Sequence, residues 1–414
     1  MWPVIHRRSL HFREPNEVRI LRLVRDRQAL SRIELSRATG LHKATVSGLV
    51  AKLIKAGFLQ DTGEVETRQR VGRKRALLRF LPLAGLVIGV DIRRTGATVA
   101  ITDLNAHVLQ QNSFSYHQRN SADQVMSRVV AIIRQLLKRG RHPRTQLVGI
   151  GVGVQGIVDY SNNTLVLSQN KKAWEGESLG TRLEREFGVP VYVENDVKSM
   201  ALGEYLLGAA KGSRHFVYIW VGEGVGAGII VNGQLLRGIT SSAGEIGYNS
   251  LEFSAVDKAR FPFTFRGQEM FGQILTDANL IESYRRNSKD AAENLTVPSI
   301  TEKAALGDSI AQQVIEEFIS LLSIPCIMML NTLNPEMIIV GGQLSQSYPA
   351  VAEQLQRRIH RDLLAPPAEA VRIRCAANGD RGVILGAAGL VLHDLFEPLQ
   401  RGSRRTSQRH SAVG

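Results

Sequence analysis

Leu86-Val87-Ile88-Gly89-Val90-Asp91 is an apolar run that ends on an acid, and a second such run, Phe216-Val217-Tyr218-Ile219-Trp220-Val221, stands in the second half of the chain. Short runs of this kind, bounded by turn residues, read as buried strands. Each opens a meander. Residues 97–103 follow the first, and Val108-Leu109-Gln110 comes after a turn at Asn105. Residues 228–231 follow the second, and Asn232-Gly233 joins them to Gln234-Leu235-Leu236. Asn-Gly between apolar runs is a strong hairpin signal. Helical spacing over 122–138 and 309–331 comes after the meanders. The repeat predicts a duplicated α/β unit with two lobes, and a small ligand is expected in the cleft between them.

Outward from these strands, the chain has 414 residues, enough for two or three domains, and with 43% hydrophobic and 22% charged residues it can bury a sizeable core. No window approaches the run of apolar residues that a membrane span needs; the best, 321–330, is short and holds Pro325. Met1-Trp2-Pro3-Val4-Ile5-His6-Arg7-Arg8 has no apolar signal core behind it. Cys326 and Cys375 are the only cysteines, too few for a disulfide framework or a Cys-rich zinc module. A secreted or membrane protein is therefore not expected, and a reducing cytoplasm is.

The formal charge of +14 is unevenly spread: residues 1–82 hold 18 Lys/Arg against 7 Asp/Glu, and the tail 398–414 adds Arg401, Arg404, Arg405 and Arg409. The body is left close to neutral. A compact basic domain on a neutral body is the footprint of a polyanion binder.

The motifs of the basic segment agree with that reading. Pro15-Asn16 starts a helix that carries Val18, Ile20, Leu21, Leu23 and Val24. Ser31-Arg32-Ile33-Glu34 is a capping box that opens a second helix, and Gly40 stops it. Val46, Leu49, Val50 and Leu53 form the apolar stripe of a third helix, ended by Gly57. Its opposite face presents His42, Lys43, Thr45, Ser47, Gly48 and Lys52. Helix, tight turn, helix is the unit whose second helix enters the DNA major groove. Phe58-Leu59-Gln60 then reads as a strand, Asp61-Thr62-Gly63 as a turn and 71–78 as the returning strand, which makes a basic wing. Lys43, Thr45 and Ser47 are expected to face bases; Arg68, Arg73, Lys74 and Arg75 are expected mainly to hold phosphates or the minor groove. The competing reading is a three-helix protein-interaction domain with a basic surface. Net charge, capping box and basic hairpin together favour DNA.

Two glycine motifs invite a nucleotide reading and lack its context. Gly151-Val152-Gly153-Val154-Gln155-Gly156 matches G-x-G-x-x-G, but a strand and the Asn162-Asn163 turn follow where a helix should open. Close strand packing is the better reading. Gly222-Glu223-Gly224-Val225-Gly226-Ala227-Gly228 lies between strands, and Glu223 sets a carboxylate among amides that would otherwise cradle an anion. Asn170, Glu194-Asn195-Asp196 and Ala243-Gly244-Glu245-Ile246-Gly247 place amides and carboxylates at strand ends and loops. Together they suit bidentate hydrogen bonding to vicinal hydroxyls, and so a polyol or sugar site.

From Arg13 to about Leu392 these motifs resemble the ROK family of repressors and sugar kinases, in its regulator branch. The resemblance rests on the winged segment, on Glu194-Asn195-Asp196, Gly224–Ile230, Ala243–Gly247 and on Asn334-Pro335-Glu336 with Val340-Gly341-Gly342. It implies an α/β fold: an N-terminal winged helix-turn-helix followed by a two-lobed, actin-like, ribonuclease-H-type body. The expected domains are 1–82, the DNA-binding domain; 83–200, a first lobe completed by a C-terminal helix at about 383–397; 201–382, a second, oligomerising lobe; and 398–414, a disordered basic tail. The resemblance also implies sugar contacts by Asn195, Asp196 and Glu245, with Asn170 and Tyr248 beside them. Asp196 occupies the position of the kinase base and is expected to bind ligand only.

The chain departs from the kinase pattern in three places. The first phosphate loop reads Asp91-Ile92-Arg93-Arg94-Thr95 where glycines are usual, and Glu223 replaces a Thr in the second. Tyr248 replaces a zinc-binding His, and 261–269 has no cysteine. No zinc, no ATP use and no enzyme activity are expected. The reading is a cytoplasmic repressor of carbohydrate genes, a homodimer or homotetramer on double-stranded operator DNA, tuned by a sugar or sugar derivative. Its rivals are an active ATP-dependent sugar kinase with an appended DNA-binding domain, and a regulator controlled by a protein partner.

Overall fold

The computed structural model describes residues 15–27, 29–65, 76–140, 146–168, 172–250, 270–288, 294–363 and 366–396. Three helices come first: α1 (Pro15–Arg27), α2 (Arg32–Thr39) and α3 (Lys43–Lys55). They close on Val18, Ile20, Leu21, Val24, Leu35, Val46, Leu49, Val50 and Leu53, the apolar stripes the helical spacing marks out. The capping box forms: the Ser31 amide donates to Glu34 Oε2 at 2.8 Å, and the Glu34 amide donates to Ser31 Oγ at 3.3 Å. Gly40 ends α2 at φ +73°, a left-handed turn that a side chain would strain.

Strands β1 (Ala29–Ser31), β2 (Leu59–Val65) and β3 (Ala76–Phe80) form a sheet in the order β1-β3-β2. This corrects the expected wing. Asp61-Thr62-Gly63 lies inside β2 instead of forming its turn, and the return begins at Ala76. The register shifts between Asp61 and Val65, and Gly63 sits at φ +67°. A bulge absorbs the turn-like residues without ending the strand. The wing tip, with Arg68, Arg73, Lys74 and Arg75, lies outside the described residues.

Two five-stranded sheets follow. The first holds β4 (Leu86–Ile92), β5 (Gly96–Asp103), β6 (Val108–Ser115), β7 (Leu147–Val154) and β10 (Val191–Asn195), ordered β10-β7-β4-β5-β6; β8 (Ile157–Asp159) and β9 (Thr164–Leu167) form a separate ribbon. The second holds β11 (Phe216–Val221), β12 (Val225–Val231), β13 (Gln234–Leu235), β14 (Met337–Gly341) and β15 (Arg372–Cys375), ordered β13-β12-β11-β14-β15. In each, an antiparallel three-strand meander is followed by two later strands added beside its first strand. The same order occurs twice, which is the duplicated ribonuclease-H-type, actin-like body.

The chain divides into two compact units: residues 1–152, 160–193 and 387–414, and residues 153–159 with 194–386. In the first unit, β7 lies against the C-terminal helix Gly382–Phe396. A Cβ on Gly151 would fall 1.8 Å from the Ala387 carbonyl oxygen, and one on Gly149 would fall 2.7 Å from Val391 Cγ1. The G-x-G run is thus a helix-packing seam, and strand β8 follows where a nucleotide fold needs a helix. In the second unit the helix Ser309–Leu333 is long and apolar enough to cross a membrane, but two-thirds of its most apolar stretch is buried in the fold. It runs through Pro325, and Cys326 on it is buried. Cys375, at the end of β15, is only half-buried.

Candidate functional site

After α4 (Ala122–Arg139) and α5 (Leu179–Phe187) in chain order, β10 delivers Glu194 and Asn195 to the start of α6 (Asp196–Leu207), in the second unit. Asn195 caps that helix: its Oδ1 accepts from the Lys198 amide at 3.0 Å, and its Nδ2 donates to the Gly156 carbonyl at 3.0 Å. Part of its hydrogen-bonding capacity is therefore internal. Asp196 is half-buried, with Oδ1 accepting from the Val197 amide at 2.9 Å. Glu194 is fully buried; its Oε1 takes the Asn195 amide at 2.9 Å and its Oε2 takes Arg237 Nε at 2.6 Å.

Lys198 is 1% exposed, donates Nζ to the Ser241 carbonyl at 2.6 Å and lies 4.0 Å from Glu245 Oε1. Burial pushes the lysine below its ordinary range, and Glu194 and Glu245 work against that shift. Burial likewise lifts the Glu245 carboxyl, and Lys198 pulls it back.

The loop that carries Glu245 is seated by its glycines. Gly244 has φ +88°, and a Cβ there would fall 1.9 Å from the Ala227 carbonyl oxygen. The Ala227 amide donates to the Gly244 carbonyl at 2.8 Å, which fixes the loop on the edge of β12. Tyr248 ends the short helix Ile246–Tyr248 and is exposed. Asn195, Asp196 and Glu245 thus belong to one polar group centred on the N-terminal end of α6, whose carboxylates can accept from sugar hydroxyls. Asn170 lies outside the described residues, as does 251–269, where part of the zinc expectation rests. Lys198 and Arg237 escaped the sequence reading. The available signal was a lysine among the buried residues of Val197-Lys198-Ser199-Met200-Ala201-Leu202-Gly203.

The second glycine loop divides into two parts. Gly226 and Gly228 make room for α6: a Cβ on Gly228 would fall 2.4 Å from Ala201 Cβ, and one on Gly226 would fall 3.2 Å from Val197 Cγ2. Gly222 and Gly224 frame the turn, where Glu223 is exposed and lies 3.4 Å from Gln155 Nε2. Asp277 closes on this turn with its amide on the Gly222 carbonyl at 2.9 Å. Burial, then Glu223, raises the Asp277 carboxyl to about 6. Two acids at the turn disfavour an anion there.

In the first unit, the loop after Asp91 is closed by its own side chains. Asp91 is 1% exposed, and Arg93 Nε donates to its Oδ2 at 2.7 Å. The Tyr116 hydroxyl donates to the Arg93 carbonyl, and the Tyr116 amide donates to Thr95 at 2.9 Å. Burial first, and then Asp91, raise the tyrosine well above its usual range.

The same unit also carries the exposed side of α3. His42, Lys43, Ala44, Thr45, Ser47, Gly48, Ala51 and Lys52 are all exposed, and Val46, Leu49, Val50 and Leu53 hold the helix from behind. His42 makes no capping bond, so the first amides of α3 are open to an anion. Arg32 pairs with Asp61 at 3.0 Å and Lys52 with Glu17 at 3.7 Å, which ties the neighbouring elements around α3.

Comparisons with known proteins bear on both halves. A profile described as the ROK family matches residues 87–394, and one described as the MarR family matches 14–70. The chain is 26% identical over 388 residues to the xylose repressor of Caldicellulosiruptor bescii, covering 92% of this chain and 96% of that protein. It is 25% identical over 387 residues to the DNA-binding transcriptional repressor Mlc of Escherichia coli, covering 91% and 92%. Among solved structures, a ROK family transcriptional regulator superposes with a TM-score of 0.77 at 21% identity, covering 92% and 96%. A ROK family glucokinase from Streptomyces griseus, solved with glucose and AMPPNP, superposes with a TM-score of 0.61 at 25% identity, covering 74% and 99%.

Proposed function

The chain belongs to the ROK family, and from that premise we propose that it is a DNA-binding transcriptional regulator of sugar metabolism, a repressor whose operator affinity responds to a sugar. The observation that carries this reading is the presence, in one chain, of an exposed recognition helix with a basic, hydrogen-bonding face and a carboxylate-rich polar group at the head of α6. The protein acts in the cytoplasm as a homodimer or homotetramer. Its winged domains take two half-sites of a palindromic operator, and Lys43, Thr45 and Ser47 face bases. Arg68, Arg73, Lys74 and Arg75 hold the backbone. Asn195, Asp196 and Glu245 take hydroxyls of the effector, with Asn170 and Tyr248 at its margin. A sugar weakens DNA binding only as far as it prefers one of the two states of the protein.

The body does no kinase chemistry and uses neither ATP nor zinc. Arg93 meets the carboxylate of Asp91, and Glu223 and Asp277 crowd the second turn. Asp196, at the position of a kinase base, keeps the enzyme reading open to a direct test. Sugar-dependent release of ADP should not exceed background with D-glucose, D-xylose or N-acetyl-D-glucosamine. Turnover that Asp196→Asn abolishes would make the chain a kinase. In parallel, selection from random duplex DNA should enrich an inverted repeat; an enriched pool without symmetry would remove the symmetric oligomer.

A further inference from the structure

The loop between β13 and the helix Ile246–Tyr248 has little apolar anchorage. Ile239 at its tip is fully exposed, and Gly238 and Ser241 both sit in the left-handed region, at φ +75° and +60°. Such backbone, in a serine especially, persists only where neighbours hold it. The Ser241 carbonyl is the group that takes Lys198 Nζ at 2.6 Å. At the start of the loop, Arg237 Nε reaches Glu194 Oε2 at 2.6 Å, and the Ala243 amide returns to the Arg237 carbonyl at 3.0 Å. Glu194 at the end of β10 and Lys198 in the first turn of α6 therefore fasten the loop at two points, and Glu245 follows directly with Lys198 4.0 Å away.

We propose that Lys198, together with Arg237, is a positioning residue that fastens the loop presenting Glu245, and that the site takes an uncharged polyhydroxylated ligand in preference to its phosphate ester. The first half stands on geometry alone; the ligand class rests on the effector reading above. Both cations are directed onto protein oxygens, and the buried ammonium of Lys198 has no path to a ligand while the loop is closed over it. Asp196 and Glu245 supply acceptors that suit hydroxyl donors and repel a phosphate.

A thermal double-mutant cycle on the full-length protein tests the fastening without any ligand. Glu245→Gln should shift the Tm only slightly in the wild-type background, where the lost charge pair offsets the relief of a carboxylate that burial disfavours. It should raise the Tm in Lys198→Met by removing a half-buried carboxylate that has lost its cation. The same change from Glu245→Gln in both backgrounds would overturn the coupling. Should Lys198→Met not fold, hydrogen exchange in Glu245→Gln alone decides. Amides of 240–245 should exchange roughly tenfold faster while α3 is unchanged, and unaltered exchange overturns the fastening.

For the ligand class, the wild type is heated with D-glucose, D-xylose and N-acetyl-D-glucosamine, and with glucose 6-phosphate and N-acetylglucosamine 6-phosphate. One neutral sugar should raise the Tm, its phosphate should not, and Glu245→Gln should abolish the rise. Stronger stabilisation by a phosphate overturns the class. Silence from all five overturns the class and the effector reading with it, and leaves the cycle to judge the fastening.

Discussion

Asp91 is buried at the end of β4, where only a cation or several hydrogen-bond donors can keep a carboxylate charged at low cost. In this chain the cation is Arg93, two residues away, on an otherwise exposed side chain. Arg93→Ala should therefore cost about 1–3 kcal/mol of unfolding free energy in denaturant melts, less than a fully buried pair because water screens the guanidinium. A stability equal to wild type would mean that the loop holds Asp91 by other means.

Asp277 behaves differently. Its carboxyl is raised to about 6 by burial and by Glu223, so the folded protein holds its proton more tightly than the unfolded chain. The stability this gives is complete below about pH 4, the unfolded value, and is lost as pH rises through about 6. Asp277→Asn should accordingly raise the Tm at pH 7.5 and flatten the decline between pH 4 and 7. A Tm at pH 7.5 that falls in the variant would show that the charged form contributes more to the helix Asp277–Asn287 than burial costs it.

At the scale of elements, α3 carries a glycine on its exposed face for no reason of packing. A Cβ on Gly48 would meet nothing within 4 Å, and helix interiors favour alanine over glycine by roughly 1 kcal/mol. Gly48→Ala should stabilise the protein by about that amount in denaturant melts. In binding assays it should weaken operator affinity, because the backbone can no longer approach the groove floor as closely. Unchanged affinity would move the recognition surface away from the middle of α3.

The helices themselves were legible because their signals are local: Ser31 and Glu34 are three residues apart, and Val46, Leu49, Val50 and Leu53 repeat at the helical period. The wing was half legible. Asp61-Thr62-Gly63 has turn composition, but the ladder to β3 carries the strand through it, and pairing of that kind leaves no mark on composition. The same holds for the site. The motif acids and amides could be read off directly. The partner Arg237 could not, because Glu194 and Arg237 stand 43 positions apart and only the fold brings them together.

Over the whole chain, the C-terminal helix starts at Gly382 in one unit and ends at Phe396 in the other. Within the second unit, a Cβ on Gly386 would fall 1.6 Å from the Ser199 carbonyl oxygen, so this helix touches α6 backbone to backbone. Within the first unit, Phe396 meets Phe80 edge-on at 6.1 Å, and the Arg25 guanidinium lies 4.2 Å from its ring centre. Phe396→Ala should cost about 3 kcal/mol from the lost core ring. The loss should be visible as faster hydrogen exchange at the end of α1; exchange confined to the last turn of the C-terminal helix would separate the ring from the DNA-binding domain.

The duplicated meander was visible in the sequence because both copies carry their own turn residues, Asn105 and Asn232-Gly233. The separation of units at 193/194 was not, since β10 continues through it.

The most direct measurement is fluorescence anisotropy of the full-length protein on the intergenic DNA beside its own gene, at two salt concentrations, with and without D-xylose, D-glucose and N-acetyl-D-glucosamine. Tight binding that weakens steeply with salt and shifts with one of these sugars is the expected result. Specific binding that no sugar alters would contradict regulation through the head of α6, and binding without sequence preference would contradict the repressor itself.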